Sequence, residues 1–166
     1  MKLERKSMEK FIIDSNILIE FFKGNENAKK IIDVMSENRS NEYLLSIDTI
    51  EEVLYILVRF FSKKPYWELK NNPELSKKSY DTLIPLLDIF IKKLFTLIDT
   101  SANLKGKLFN LCKKFGLLPK DALLVALALE YKVRFIISLD KDLKQLQIKS
   151  IKIISSVEEL REILND

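Results

Sequence analysis

Three short apolar runs, Phe11-Ile12-Ile13, Tyr43-Leu44-Leu45 and Phe135-Ile136-Ile137, contain no polar residue, as expected of strands buried on both faces of a parallel sheet. Leu97-Ile98 is a weaker strand candidate, and Lys152-Ile153-Ile154 fits an edge strand. Between these runs the period changes from strand-like to helical. Ile50, Leu54, Leu57 and Phe61 recur at spacings of four, three and four, and Leu104, Leu108, Leu111 and Phe115 do the same, so each set predicts one apolar helix face. Ala122 to Leu129 is apolar all round and predicts a buried helix. Strands alternating with helices imply right-handed crossovers, and hence an α/β fold with a central parallel sheet of four to five strands flanked by helices.

Two segments stand apart from this alternation. Ser62 to Ser79 holds Pro65, Asn71-Asn72-Pro73 and five lysines, and is loop-like; with its neighbours it reads as a helical or loop insertion around 62–80, a lid or clamp rather than an interdomain linker. After it, Leu83, Leu86, Leu87, Phe90, Ile91 and Leu94 form a broad stripe, more apolar surface than one small domain is expected to cover, which predicts a homodimer. No repeat or low-complexity stretch divides the 166 residues, which are expected to form one domain spanning 1–166.

Composition narrows the chemistry. Hydrophobic residues make up 47% of the chain, enough for a packed core. No apolar run approaches the ~18 residues of a membrane span. A single cysteine, Cys112, excludes an intrachain disulfide and a cysteine-rich metal site; with no signal peptide in view, this points to the cytoplasm. Histidine is absent, which removes the usual general base, the Ser-His-Asp triad and the HExxH zinc site. The three glycines form no phosphate-cradling loop. An aspartyl phosphatase would need a second acid two residues after the strand-end aspartate, where Asn16 stands instead. What remains is carboxylates, hydroxyls and lysines, and carboxylate oxygens favour hard ions such as Mg²⁺ or Mn²⁺. The net charge of +4 suits a polyanionic partner; Ser101 to Lys120 carries Lys105, Lys107, Lys113, Lys114 and Lys120 and no acid, a candidate contact for a phosphate backbone.

The acids fall where α/β sheets bind ligands, at the carboxyl ends of strands. Asp14 directly follows the first run, and Asp140 stands two residues after Ser138 at the end of the third. Asp121 opens the all-apolar helix after Pro119, and Glu52 lies early in the helix after Tyr43-Leu44-Leu45-Ser46. Taken singly, each has a plainer reading: Asp14 a helix cap, Asp121 a helix-dipole partner, Asp140 a solvated turn, Glu52 a solvent-facing helical residue. Taken together, four carboxylates converging within a few Å would need a cation to offset their repulsion, and that is a Mg²⁺ site.

The segment Phe11-Ile12-Ile13-Asp14-Ser15-Asn16-Ile17-Leu18 resembles the opening strand and first acid of PIN domains. Ser46-Ile47-Asp48-Thr49-Ile50-Glu51-Glu52 is similar to their second motif, with the acid six positions after the serine. Leu118-Pro119-Lys120-Asp121-Ala122-Leu123-Leu124-Val125-Ala126 is similar to the third, and Ile136-Ile137-Ser138-Leu139-Asp140-Lys141-Asp142-Leu143 to the fourth. The motifs stand in the family's order over residues 11 to 143, and the chain looks most like the VapC-type toxins of prokaryotic toxin–antitoxin pairs. The resemblance implies a Rossmann-like PIN fold and hydrolysis of RNA phosphodiester bonds assisted by Mg²⁺ or Mn²⁺ on Asp14, Glu52, Asp121 and Asp140, with an antitoxin as protein partner. Ser15, Ser138 and Asp142 would orient those acids. Two readings stay open beside the toxin: an RNA-processing nuclease without an antitoxin, and a non-catalytic RNA- or protein-binding module. Tyr66-Trp67 could stack on bases, pack at a dimer interface or cover the core. Motif spacing selects Glu52; the phase of Ile50, Leu54, Leu57 and Phe61 brings Glu51 nearer the core side, so Glu51 is held in reserve.

Overall fold

A computed structural model describes residues 8–165; residues 1–7 and 166, which the expected domain includes, lie outside the described residues. All five expected strands form: β1 Lys10–Ile13, β2 Glu42–Ser46, β3 Thr96–Ile98, β4 Phe135–Ile137 and β5 Lys152–Ile154. They make one parallel sheet in the order β3-β2-β1-β4-β5, with Ile12 facing Leu44 on one side and Ile136 on the other. The chain builds outward from β1 in one direction, then returns to build from it in the other. The strand order therefore reverses between β1 and β4, and the two carboxyl ends there flank a crevice.

Alternation along each strand divides the core in two. Phe11, Ile13, Tyr43, Leu45, Phe135 and Ile137 face one layer, made of α1 Ser15–Phe22, α2 Glu26–Glu37, α3 Ile47–Ser62, α5 Pro73–Leu94 and α9 Val157–Asn165. Ile12, Leu44, Ile98, Ile136 and Ile153 face the other, made of α6 Leu104–Phe115, α7 Pro119–Glu130 and α8 Lys141–Lys144. Helix α7 is central to that second layer. Pro119 occupies its first turn, where the missing N–H is harmless, and Ala122 and Leu124 to Ala128 are buried, as an all-apolar helix requires. Helix α6 stops at Gly116, whose φ of 68° suits glycine and whose N–H returns to the Cys112 carbonyl.

Three sequence expectations change in detail. The segment 62–79 is helical rather than loop-like: α4 Tyr66–Asn71 and the first turns of α5 fold back on each other as a hairpin beside α3. The buried face of α3 is Thr49, Val53, Leu57 and Val58, while Phe61 is exposed; the expected stripe is displaced because Thr49, a polar residue, takes an inward place by hydrogen bonding to Ser46. The α5 stripe is largely used within this chain, with Leu83, Leu87 and Ile91 buried and Phe90 and Leu94 packed against the core, leaving Leu86 exposed.

Leu127 is 1% exposed in the α7 layer, whereas Leu118, one residue before α7, is 72% exposed. Leu127→Ala is expected to destabilise the protein by about 2–5 kcal/mol and Leu118→Ala by well under ~1 kcal/mol. Urea melts of the two variants against wild type check the difference.

Candidate active site

The end of β1 decides where the site begins. After Ile13 the next residue, Asp14, caps α1 through its backbone but makes no side-chain cap bond, so its carboxylate is left for other partners. It is 2% exposed and would be prohibitively charged for such burial without them. Four side chains supply hydrogen bonds or charge. Ser138 Oγ, at the end of β4, donates to Asp14 Oδ2 at 2.6 Å, and Asn16 Nδ2 donates to the same oxygen at 2.8 Å. Ser15 Oγ donates to Oδ1 at 3.3 Å, and the Lys120 ammonium stands 3.8 Å from Oδ1.

Asn16 joins the two banks of the crevice. Its Nδ2 also donates to Ser138 Oγ at 3.1 Å, and its Oδ1 accepts from the Leu139 amide at 3.1 Å. Ser138 in turn accepts from the Asp140 amide at 3.0 Å, which fixes the start of the acidic turn. One Asp140 oxygen, Oδ1, caps α8 by accepting from the Asp142 and Leu143 amides at 2.7 and 3.3 Å. Asp142 thus supports Asp140 through its backbone, while its own side chain is exposed.

Glu52 comes from the other side. Ser46 Oγ accepts from the Thr49 amide at 3.2 Å and caps α3, setting the helix so that Glu52, one turn on, faces Asp14. Lys120 Nζ pairs with Glu52 Oε1 at 2.7 Å and so bridges Glu52 and Asp14. A cavity of about 40 Å³ opens here, lined by Asp14, Ser46, Asp48, Thr49, Glu52 and Lys120 over a floor of Leu123, Leu124 and Leu127. Glu51 is exposed and absent from this lining. Asp48 is present, its carboxylate accepting from the Thr100 hydroxyl after β3.

Charge ties the acids together. Burial raises the Asp121 pKa above the ordinary aspartate value, and the carboxylates of Asp140, Asp14 and Glu52 raise it further against the opposing Lys120. For Lys120, burial disfavours the charge, but the hydrogen bond to Glu52 and the carboxylates of Asp14, Glu52 and Asp121 outweigh it and hold the pKa above the usual lysine value. All four expected acids therefore lie within one electrostatic neighbourhood. They do not touch a common point: among the described residues no three acids stand close enough to hold a metal ion as they are. The ammonium of Lys120 takes the place between Asp14 and Glu52.

The expected basic helix divides. Lys120 belongs to the site; Lys107 pairs with Glu130 on α7, and Lys114 lies 5.2 Å over the Phe115 ring. Lys105 and Lys113 are exposed on α6. Sequence reading assigned no site role to Asn16 or Asp48. The contact of Asn16 to Ser138 spans 122 positions, beyond any local pattern. Asp48 had a signal in its spacing of four before Glu52, which puts both on one helix face.

The PIN domain family model matches residues 11–149. The chain is 32% identical over 146 residues to Ribonuclease VapC2 of Methanocaldococcus jannaschii, covering 86% of this chain and 94% of that protein. Among solved structures it is similar to VapBC2 from Rickettsia felis bound to a promoter DNA fragment, with TM-score 0.55 and 18% identity over 87% of this chain and 97% of that one. It is also similar to Mycobacterium tuberculosis VapC20, a sarcin-ricin loop cleaving toxin, with TM-score 0.56 and 11% identity over 86% and 98% of the chains. A toxin–antitoxin complex from Klebsiella pneumoniae gives TM-score 0.53 at 19% identity, over 86% and 94%. These structural likenesses establish the shared fold.

The shifted groups make two substitutions act in opposite directions in metal-free protein. A raised lysine pKa stabilises the fold below the unfolded value and fades only as pH rises through the folded one, so at pH 7 the Lys120 bridge is fully stabilising. A raised aspartate pKa means that the ionised form is disfavoured in the fold at pH 7. Lys120→Met is expected to lower the melting temperature and Asp121→Asn to raise it, each on the order of a few °C. The Asp121→Asn gain should shrink as pH falls and wild-type Asp121 takes up its proton. Thermal melts in chelator at pH 7 and at lower pH check both signs.

Proposed function

The chain belongs to the PIN-domain family, and from that premise we propose that it is a Mg²⁺- or Mn²⁺-dependent endoribonuclease, a VapC-like toxin held in check by an antitoxin. The observation that carries this reading is the buried carboxylate of Asp14, fixed by Ser138 and Asn16 at the strand-order reversal, beside Asp121, whose proton affinity is raised by burial and by the charges of Asp140, Asp14 and Glu52. The 32% identity to a protein named a ribonuclease supports the reaction class. The toxin–antitoxin complexes among the structural neighbours support the partner. RNA as substrate, the cytoplasm as location, a second copy of the chain as dimer partner and a single domain over 1–166 complete the proposal.

The donor set is suited to a hard cation: every candidate ligand is a carboxylate oxygen, and one lysine faces the combined charge of Asp14, Glu52 and Asp121. Asp14, Glu52, Asp121 and Asp140 would hold the ion, with Ser15, Ser138, Asn16 and the Asp142 amide orienting them. When bound, Mg²⁺ or Mn²⁺ supplies a Lewis acid that makes water more acidic and offsets charge gathering on the scissile phosphate. The chain does the rest. The Asp14 side chain is tightly held, because its partners come from α1, α7 and the end of β4. Glu52 and Lys120 are freer, with side chains 27% and 49% exposed, so Glu52 can swing toward Asp14 once Lys120 releases it. The released ammonium stands where it can meet a phosphate oxygen. With no histidine in the chain, a carboxylate is the protein's own candidate to accept the proton from the attacking water.

RNA cleavage by purified protein is expected to stop in excess chelator and return with Mg²⁺ or Mn²⁺; cutting that persists in chelator overturns the metal-assisted reading. Asp14→Asn should abolish turnover in either ion, though loss of its network makes a folding control by circular dichroism essential.

The two glutamates give a sharper test. Glu52→Gln should slow cleavage by ~10²-fold or more, as expected for losing one preorganised charged group. Glu51→Gln, on the exposed side of α3, should stay within about several-fold of wild type. The reverse order in single-turnover assays would shift the metal ligand to Glu51.

A further inference from the structure

Helix α3 carries Asp48, Glu52, Tyr55 and Arg59 at spacings of four, three and four, which places all four on one strip of its surface. The first two line the cavity beside Asp14. The strip then leaves the acids and changes character. Tyr55 is 37% exposed, and the Arg59 guanidinium lies 5.3 Å over its ring while donating to its hydroxyl at 3.4 Å. Beyond it, the Tyr55 ring meets Tyr66 of α4 at 5.7 Å between centroids, tilted by 58°. Tyr66 is 50% exposed and has the Lys70 ammonium 5.9 Å over its ring. The sequence thus continues from carboxylates to ring and cation, then to a second ring and cation, across the junction between α3 and the 62–80 hairpin.

We infer that this strip is a track for single-stranded RNA leading to the acids, an inference that rests on the nuclease reading above. Tyr55 and Tyr66 offer their rings to unpaired bases, while Arg59 and Lys70 meet the phosphates between them. A duplex would keep its bases stacked on each other and give the rings nothing to hold, so the track selects unpaired RNA. Seven residues of helix separate Glu52 from Arg59, roughly 10 Å, so the stacked bases lie close to the scissile phosphate and bear on where the strand is cut. The alternation of ring and cation also explains the composition of the hairpin. Of the hairpin's two acids, Glu68 is paired with Lys64 and Glu74 lies in the first turn of α5, and among the described residues neither forms an ion pair with Arg59 or Lys70. Acidic peptides would satisfy the cations but not the two rings set one after the other.

The test is binding without cleavage. Full-length protein in excess chelator is titrated against a fluorescein-labelled single-stranded oligoribonucleotide of about 12 nucleotides, against the same strand in a duplex, and against poly-glutamate. Fluorescence anisotropy gives affinity, and the emission of Trp67, the chain's one tryptophan and next in sequence to Tyr66, reports arrival of the strand. Tyr55→Leu combined with Tyr66→Ala should weaken single-strand binding by about ten-fold or more. Tyr66→Phe, which keeps the ring, should bind as wild type, and the duplex should bind more weakly than the single strand. The track is overturned if the double variant binds the single strand as wild type does. It is also overturned if duplex and single strand bind equally, if Tyr66→Phe loses as much as the double variant, or if the substitutions affect only poly-glutamate. These outcomes separate from those of the nuclease reading. Ring-dependent binding by a protein that cuts no RNA with Mg²⁺ keeps the track and removes the nuclease; unchanged binding in a protein that does cut removes only the track.

Discussion

A carboxylate that is 2% exposed at the end of a central strand is an expensive object, because an ionised group in a low-dielectric interior must find compensation for its lost water. Asp14 finds it in donors from different parts of the chain: Ser138 from the end of β4, Asn16 and Ser15 from α1, and the charge of Lys120 from α7. The same contacts therefore join elements that hydrophobic packing alone would leave independent at this edge. Asn16 extends the join by accepting the Leu139 amide, so the turn that delivers Asp140 is set by the group that holds Asp14. The crevice geometry follows from satisfying one buried charge, and the sheet order makes the crevice available because strands diverge there.

Around that fixed point the remaining acids are held more loosely, and electrostatics explains why. Burial and the carboxylates of Asp140, Asp14 and Glu52 raise the energy of ionised Asp121, and the site places the ammonium of Lys120 between Asp14 and Glu52. A lysine suits this position better than an arginine would. Its compact ammonium sits on a flexible stem and can withdraw, whereas a guanidinium would lock one carboxylate in a bidentate grip. The buried member is tightly held and the other three acids are half-buried, which suits a site that would gather around a cation and then accommodate a phosphate.

Much of this was legible in the chain. The three central strands follow from unbroken apolar runs, whereas β3, with two of its three residues exposed, and the edge strand β5 carry a weaker signal. Asp14 and Asp140 were legible by following β1 and β4 at the carboxyl edge, where such sheets bind ligands. Legibility failed where side chains meet across long sequence distances. Nothing local links Asn16 to Ser138, or Lys120 to Glu52, and a lysine before a helical aspartate reads as a surface charge until the fold turns it inward. The hairpin over 62–80 failed for a different reason. Its prolines and asparagines are turn formers in isolation, but Pro65 and Asn72 cap helices, and Pro73 occupies a first turn where proline is tolerated.

The rivalry between Glu51 and Glu52 shows how one polar residue can mislead a periodicity argument. Counting only apolar residues, Ile50, Leu54, Leu57 and Phe61 define the core side of α3 and bring Glu51 nearer to it. The structure instead buries Thr49, Val53 and Leu57, because Thr49 satisfies its hydroxyl and amide on Ser46 and can go inward without an unpaired group. The centre of the inward face turns by about 50°, half a residue step, with Leu57 common to both faces and Ile50 and Leu54 left at its edge. Glu52 then lies on the flank beside Asp14, and Glu51 on the solvent side. Spacing from the serine and helix phase therefore agree once the serine is understood as the residue that sets the phase: Ser46 caps the helix, the cap draws Thr49 inward, and Thr49 fixes the direction in which Glu52 points.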